Sequence, residues 1–192
     1  MKEETNEIIQ KINSNSILFF DLDGTLIETD YANYLSYKDA IKKIKDIEIT
    51  FNENKRFDRS CLFQAIPNLS NLDAELIIKL KEENYPENLS FTKLNSIPFE
   101  ILKKYCKTNT TVLVTNCRKE RAKITLEYHN VLDCFSHFFY GTFRDEKKIN
   151  KFQTTIENLN ISPKSVIVFE NEENEIIDAI SVGIPKENII SL

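Results

Sequence analysis

The chain has 192 residues, 41% hydrophobic and 29% charged, the proportions of a folded globular protein and not of a disordered one. Its formal net charge of −5 and pI near 5.3 exclude a general attraction to nucleic acid or to an anionic membrane, so an anionic ligand has to be held by local cations. The N-terminus has no basic patch ahead of an apolar run, and no stretch reaches membrane-spanning length, so neither a signal peptide nor a membrane contact is expected and cytoplasmic residence is.

In chain order, residues 3–13 read as a short amphipathic helix with Ile8, Ile9 and Ile12 on one side. Ser16 to Phe20 is a brief apolar run ending in the acidic turn DLDGT, a buried strand and its C-terminal loop. From about 28 to 97 the pattern changes. Ala40, Ile41, Ile44 and Ile47 recur at helical spacing, as do Leu72, Leu76 and Leu80, and nothing there reads as a strand. Pro98 opens a helix with Phe99, Leu102 and Tyr105 inward. Strands and helices then alternate: strand Thr111 to Val114, helix 118–128, strand Ser136 to Tyr140, helix 151–160 with Phe152, Ile156 and Leu159 inward, strand Ser165 to Phe169, helix 173–182, and a last strand from Asn188 to Leu192. Such alternation predicts crossover units and a parallel sheet. The expected organisation is one α/β core from 1–27 and 98–192, with a helical insertion at 28–97. Ligands of such sheets bind beyond the carboxyl ends of the strands, which points to the loops beginning at Asp21, Thr115 and Glu170.

The chemistry-bearing residues sit in those loops. Asp21 and Asp23 are two carboxylates two residues apart at a strand end, and like charges so close need a cation or a shared proton. Oxygen donors favour magnesium over zinc. Gly24 permits the sharp turn that follows, and Thr25 offers a hydroxyl beside it. A DG pair alone is an ordinary acidic turn; the full string, an apolar strand and then DLDGTL, is far more specific. In VLVTNCR, Thr115 and Asn116 follow a buried strand, where a hydroxyl and adjacent N–H groups can hold phosphoryl oxygens or simply cap a helix. Cys61, Cys106, Cys117 and Cys134 form no CxxC pair, and with only His129 and His137 to help them they read as reduced thiols rather than a zinc site.

FFDLDGTLIETD resembles the first signature motif of the haloacid dehalogenase superfamily, VLVTN its second, and SVIVFENEENEIIDAISVGI its fourth. The resemblance covers roughly residues 16–30 and 98–192. It implies a three-layer, Rossmann-like parallel sheet with an inserted small helical cap at 28–97, and a magnesium-dependent phosphatase acting on a small phosphorylated metabolite. Asp21 would be the nucleophile that forms a phospho-aspartate, and Asp23 the general acid and then base. Asp21, the Asp23 main-chain carbonyl, Glu170 and Asn171 would hold Mg2+; Thr25, Thr115, Asn116 and Lys147 would serve the phosphate. The family's lysine falls in RDEKKINKFQTTI, with Lys148 the first choice, Lys147 the second and Lys151 the third, because the Pro-rich segment that fixes the register is missing and Phe152 alone marks the start of the helix. Asn171 departs from the usual carboxylate pair, with Glu170, Glu172 and Glu175 near enough to compensate, although Glu172 and Glu173 also suit the positive end of a helix. In the cap, Arg56, Arg59, Lys79 and Lys81 are candidate substrate contacts, each read more readily as a surface charge. A sugar-phosphate mutase resembling β-phosphoglucomutase and a non-catalytic phosphate binder are the competing readings. Asp23 disfavours a dehalogenase, whose leaving group needs no proton. The pattern assigns no oligomeric state.

Overall fold

The computed structural model describes residues 2–52, 56–141, 143–144 and 147–191, with the backbone alone at 2–4, 143–144 and 147–148. The elements in order are α1 (Lys2–Lys11), β1 (Ile17–Phe20), β2 (Ile27–Glu28), α2 (Asp30–Lys45), α3 (Arg59–Ala65), α4 (Asn71–Asn84), β3 (Lys93–Leu94) and α5 (Ser96–Tyr105). They continue as β4 (Thr111–Thr115), α6 (Lys119–Tyr128), β5 (His137–Tyr140), β6 (Phe143–Arg144), β7 (Lys147–Lys148), α7 (Lys151–Leu159), β8 (Val166–Phe169), α8 (Glu173–Ser181) and β9 (Ile189–Ile190). By its contacts the chain divides into two compact units, Met1–Ile27 with Leu94–Leu192, and Glu28–Lys93.

In the first unit the apolar runs do what near-continuous hydrophobic strands must do, which is to bury both faces of a parallel sheet. Five strands pair in the order β5-β4-β1-β8-β9, each pair parallel. Side chains alternate between faces. Leu18, Phe20, Leu113, Ile167 and Phe169 join α1, α5 and α6 residues, among them Ile8, Ile101, Leu102 and Leu126, in one cluster. Phe19, Val112, Val114, Val166 and Val168 join Phe152 of α7 and Ala179 of α8 in the other. The result is a three-layer α/β core. Phe20 and Phe169 stack with centroids 4.5 Å apart, locking the two central strands in register.

The second unit buries Tyr37, Ala40 and Ile41 of α2 against Leu62 of α3 and Ala74, Ile77 and Ile78 of α4. α3 and α4 start on side-chain caps: Asp58 accepts from the Ser60 and Cys61 N–H groups, and Ser70 from that of Asp73. Three expectations change here. The Leu72 and Leu76 side of α4 is exposed at 68% and 44%, because the adjacent Ala74, Ile77 and Ile78 stripe packs inward. Lys81 is no surface charge: it is buried, paired with Glu82 at 3.1 Å, with its ammonium 5.2 and 5.4 Å from the Tyr37 and Tyr85 ring centroids. Strand pairing does occur at the margin of the insertion, where β2 and β3 form a two-stranded ribbon. Arg56 pairs with Asp30 at 3.4 Å, Lys79 sits 4.0 Å from Glu83, and Arg59 is exposed in the first turn of α3.

Candidate active site

The three central strands, β4, β1 and β8, end side by side at their carboxyl ends, and each delivers polar residues there. Asp21 follows β1 directly and still extends the ladder, its N–H donating to the Phe169 carbonyl at 3.0 Å. Glu170 does the same beyond β8, donating to the Ile190 carbonyl at 3.1 Å. The two carboxylates are thereby fixed on neighbouring strands and almost wholly buried, 7% exposed for Asp21 and 0% for Glu170. Burying charge that deeply requires a counterion.

Lys151 supplies it. Asn150 caps α7, its side chain accepting from the Phe152 and Gln153 N–H groups, which places Lys151 in the first helical turn. Its Nζ donates to Asp21 Oδ1 at 2.8 Å and to Glu170 Oε2 at 2.7 Å, and lies 3.6 Å from Glu175 Oε2. Burial would lower the Lys151 pKa, but the charges of Asp21 and Glu170 override it and hold the ammonium above its ordinary value. For Glu170, burial and then the charge of Asp21 push the carboxyl up to about 7, against the opposing pull of Lys151 and the Glu172 N–H. Among the described side chains, that of Lys151, the third candidate, reaches Asp21. Lys147 and Lys148 form the β7 strand of a short antiparallel hairpin with β6; their side chains lie outside the described residues.

The DLDGT loop is tied down from two directions. Gly24 has φ +78°, a conformation glycine adopts freely, and a Cβ there would come within 3.0 Å of Asn171 Nδ2. Asn171 occupies that space. Its Oδ1 accepts from the Thr25 hydroxyl at 2.9 Å and its Nδ2 donates to the Gly24 carbonyl at 3.1 Å. Asn95 donates to the Gly24 and Thr25 carbonyls at 3.2 and 2.7 Å. Thr25 and Asn171, expected at the phosphate and the metal, thus bond each other across the loop. Thr115 is buried at the end of β4, its hydroxyl accepting from the Cys117 N–H at 3.1 Å, and Asn116 beside it is exposed. Gly141 is required there, since a Cβ on it would lie 2.8 Å from the Asn116 carbonyl oxygen.

Asp23, also buried, has a partner that the motif does not announce. Arg121, in the first turn of α6, donates from Nη2 to Asp23 Oδ2 at 3.0 Å. Glu172 stands at the N-cap position of α8 and Glu173 in its first turn, where negative charge suits the helix dipole.

Among the described residues no group of three or more His, Cys, Asp or Glu side chains could by itself hold a metal ion. The donors available are instead two carboxylates, Asp21 and Glu170, with the main chain of Asp23, all hard oxygen ligands. Among the described residues, Asp21, Glu170 and Glu175 all lie against the Lys151 ammonium, and burial, then the charge of Asp21, raises the Glu170 carboxyl. This donor chemistry fits a small dication.

A family model described as haloacid dehalogenase-like hydrolase matches residues 18–186. No curated protein matches the sequence. Among solved structures, a haloacid dehalogenase-like family hydrolase from Streptococcus pneumoniae superposes with a TM-score of 0.74 at 13% identity, covering 94% of this chain and 85% of that one. A predicted phosphoglycolate phosphatase from Haemophilus somnus gives 0.72 at 21% identity, over 90% and 84%. CbbY from Rhodobacter sphaeroides, solved in complex with phosphate, gives 0.72 at 15% identity, over 88% and 83%. With its three-layer core and a matched region that spans nearly its whole length, the chain belongs to the haloacid dehalogenase-like hydrolase family.

Proposed function

We propose that the protein is a magnesium-dependent phosphatase that hydrolyses a small phosphomonoester through a phospho-aspartate on Asp21. The observation that carries this reading is the buried bridge of Lys151 between Asp21 and Glu170, at 2.8 and 2.7 Å, with Asp23 two residues from the nucleophile. A carboxylate held by an ammonium keeps its charge in a dry site and presents its remaining lone pairs outward. An Asp21 oxygen attacks phosphorus, the bond to the leaving oxygen breaks, and Asp23 gives that oxygen a proton. The same group, now a carboxylate, takes a proton from the water that attacks the phospho-aspartate, which returns Asp21 and releases phosphate. Lys151 stays within reach of the phosphoryl oxygens as charge gathers on them, and the Thr115 hydroxyl and Asn116 N–H stand at the end of the neighbouring strand to receive them. Asp21, the Asp23 carbonyl and Glu170 would hold magnesium, which would supply charge neutralisation at the phosphoryl group. Asn171 orders the loop through Gly24 and Thr25, which leaves Glu170 the charged ligand from β8.

We assign the helical unit Glu28–Lys93 the role of cap, selecting the leaving group and limiting access of water. The four cysteines are free thiols, which suits a reducing compartment, and we place the reaction in the cytoplasm. No helix among the described residues is long and apolar enough to cross a membrane.

The test is phosphate release from a panel of sugar, nucleoside, glycolyl and aryl monophosphates, with magnesium and with chelator. Release that requires magnesium supports the reading. Interconversion of sugar phosphates without release would replace it with a mutase, and inactivity of a folded protein toward the whole panel would end both.

A further inference from the structure

We infer that Arg121 is a positioning residue for Asp23: it fixes the carboxyl so that one oxygen faces the leaving group, and it thereby sets which phosphate esters the enzyme can cleave. The inference rests on the phosphatase reading given above.

Arg121 is poorly placed for its own helix. It is the third residue of α6, and a cation in a first turn opposes the helix dipole. Its neighbours Arg118 and Lys119 are exposed, as solvated charges should be, yet the Arg121 side chain is only 11% exposed. The Asp23 side chain it meets is 7% exposed. Two charges withdrawn from water to this degree lose more hydration than a surface pair regains, so such a pair contributes little to folding by itself. What it does contribute is direction. The guanidinium is planar and its donors form a rigid fork, so a carboxyl bound at one oxygen is held in orientation as well as in place. The backbone under Asp23 is fixed as well: Gly24 donates to the Ile27 carbonyl at 2.8 Å, and the Thr25 carbonyl accepts from Asn95 at 2.7 Å. The Arg121 bond to Oδ2 thus sets the orientation of the carboxyl that, on the phosphatase reading, carries a proton to the leaving group.

Esters differ in how much they need that proton. An alkyl phosphate expels an alkoxide and depends on the acid, whereas p-nitrophenyl phosphate expels a stable phenolate and does not. An acid held in line should therefore matter far more for the first than for the second.

The experiment compares wild type, Arg121→Met and Arg121→Lys with magnesium, measuring kcat/KM, which reports the half-reaction up to the phospho-enzyme, for p-nitrophenyl phosphate and for an alkyl phosphate of the class that the wild type turns over. The expected result is at least a tenfold fall in the alkyl-to-aryl ratio of kcat/KM in Arg121→Met, partly restored in Arg121→Lys. Folding is followed by urea unfolding of each variant. Both substrates falling in parallel would make Arg121 merely structural and overturn the inference, as would a ratio unchanged within twofold. A rising ratio would also overturn it, since Arg121 would then restrain Asp23. Failure of the wild type to hydrolyse either ester would instead bring down the phosphatase reading.

Discussion

The two compact units of this chain bury charge in opposite ways. In the core unit, Lys151 meets Asp21 and Glu170 at hydrogen-bond distance and Glu175 just beyond it, so among the described residues the carboxylates outnumber the ammonium. In the helical unit, buried Lys81 pairs with Glu82 and rests against the rings of Tyr37 and Tyr85. The first cluster gathers carboxylates on an ammonium, and the second sets an ammonium against aromatic rings. A surplus in a dry site is costly to folding and useful to chemistry, whereas a neutral pair wrapped in aromatic rings is only packing. On the proposed reading the reacting groups belong to the first unit, while the second, the proposed cap, is held together by a core of its own.

The largest effect should follow from the lysine. Lys151→Met removes the ammonium that Asp21, Glu170 and Glu175 share. Phosphatase activity should fall by about a thousandfold, as expected for loss of a charge aimed at the phosphoryl group. Unfolding free energy at pH 8 should fall by about 3–5 kcal/mol. The loss should shrink at pH 6, where the carboxyls can take protons instead. Replacing Lys148 should do neither; if it silences the enzyme while Lys151→Met does not, the site has been assigned to the wrong lysine.

Next comes the scaffold. Ile77 is completely buried in the helical unit, and Ile77→Ala should cost about 2–4 kcal/mol in urea unfolding through lost contacts and the cavity left behind. Turnover of an aryl phosphate, measured well below the transition, should stay within about threefold. A large loss of turnover with little loss of stability would blur the division between the two units.

The smallest effect is in the pH dependence. Glu170 has its folded pKa raised from 4.5 to about 7, so its contribution to stability is fully present below about 4.5 and disappears as pH rises through about 7. Between pH 6 and pH 8 the metal-free protein should therefore lose about 1 kcal/mol. Lys151, raised as well, keeps its contribution across this window. Saturating magnesium should flatten the difference, because a dication favours the ionised carboxyl; urea titrations at the two pH values, with and without the metal, measure it.

The core was readable because its strands are short, apolar and separated by helices of regular period. Each expected strand and helix from 98 onward is found with ends shifted by no more than about two residues. The ribbons β2–β3 and β6–β7 were not readable, since two-residue strands carry no periodicity. The exposed Leu72 and Leu76 misled for another reason: leucine marks helices as strongly as cores, and only the partner surface shows that Ala74, Ile77 and Ile78 are the stripe that packs. Within the site, DLDGT stands out because strand, acidic pair and glycine are contiguous. The position of Lys151 beside Asp21 does have a local signal. Asn150 is a good helix cap, and a cap puts the next residue at the helix start, four residues before Thr155 on the same buried face. Arg121 left no such trace, because what defines it is a pairing across 98 positions of sequence.

The central claim is that Asp21 becomes covalently phosphorylated. Rapid acid quench of the enzyme during turnover of an aryl phosphate, followed by trypsin and mass spectrometry, reads this directly on the peptide from Ile12 to Lys38. The account predicts one phosphoryl group, located on Asp21 by fragmentation and absent from Asp21→Asn. Phosphate release that proceeds undiminished in Asp21→Asn, or a phosphoryl group found on any other residue, would contradict it.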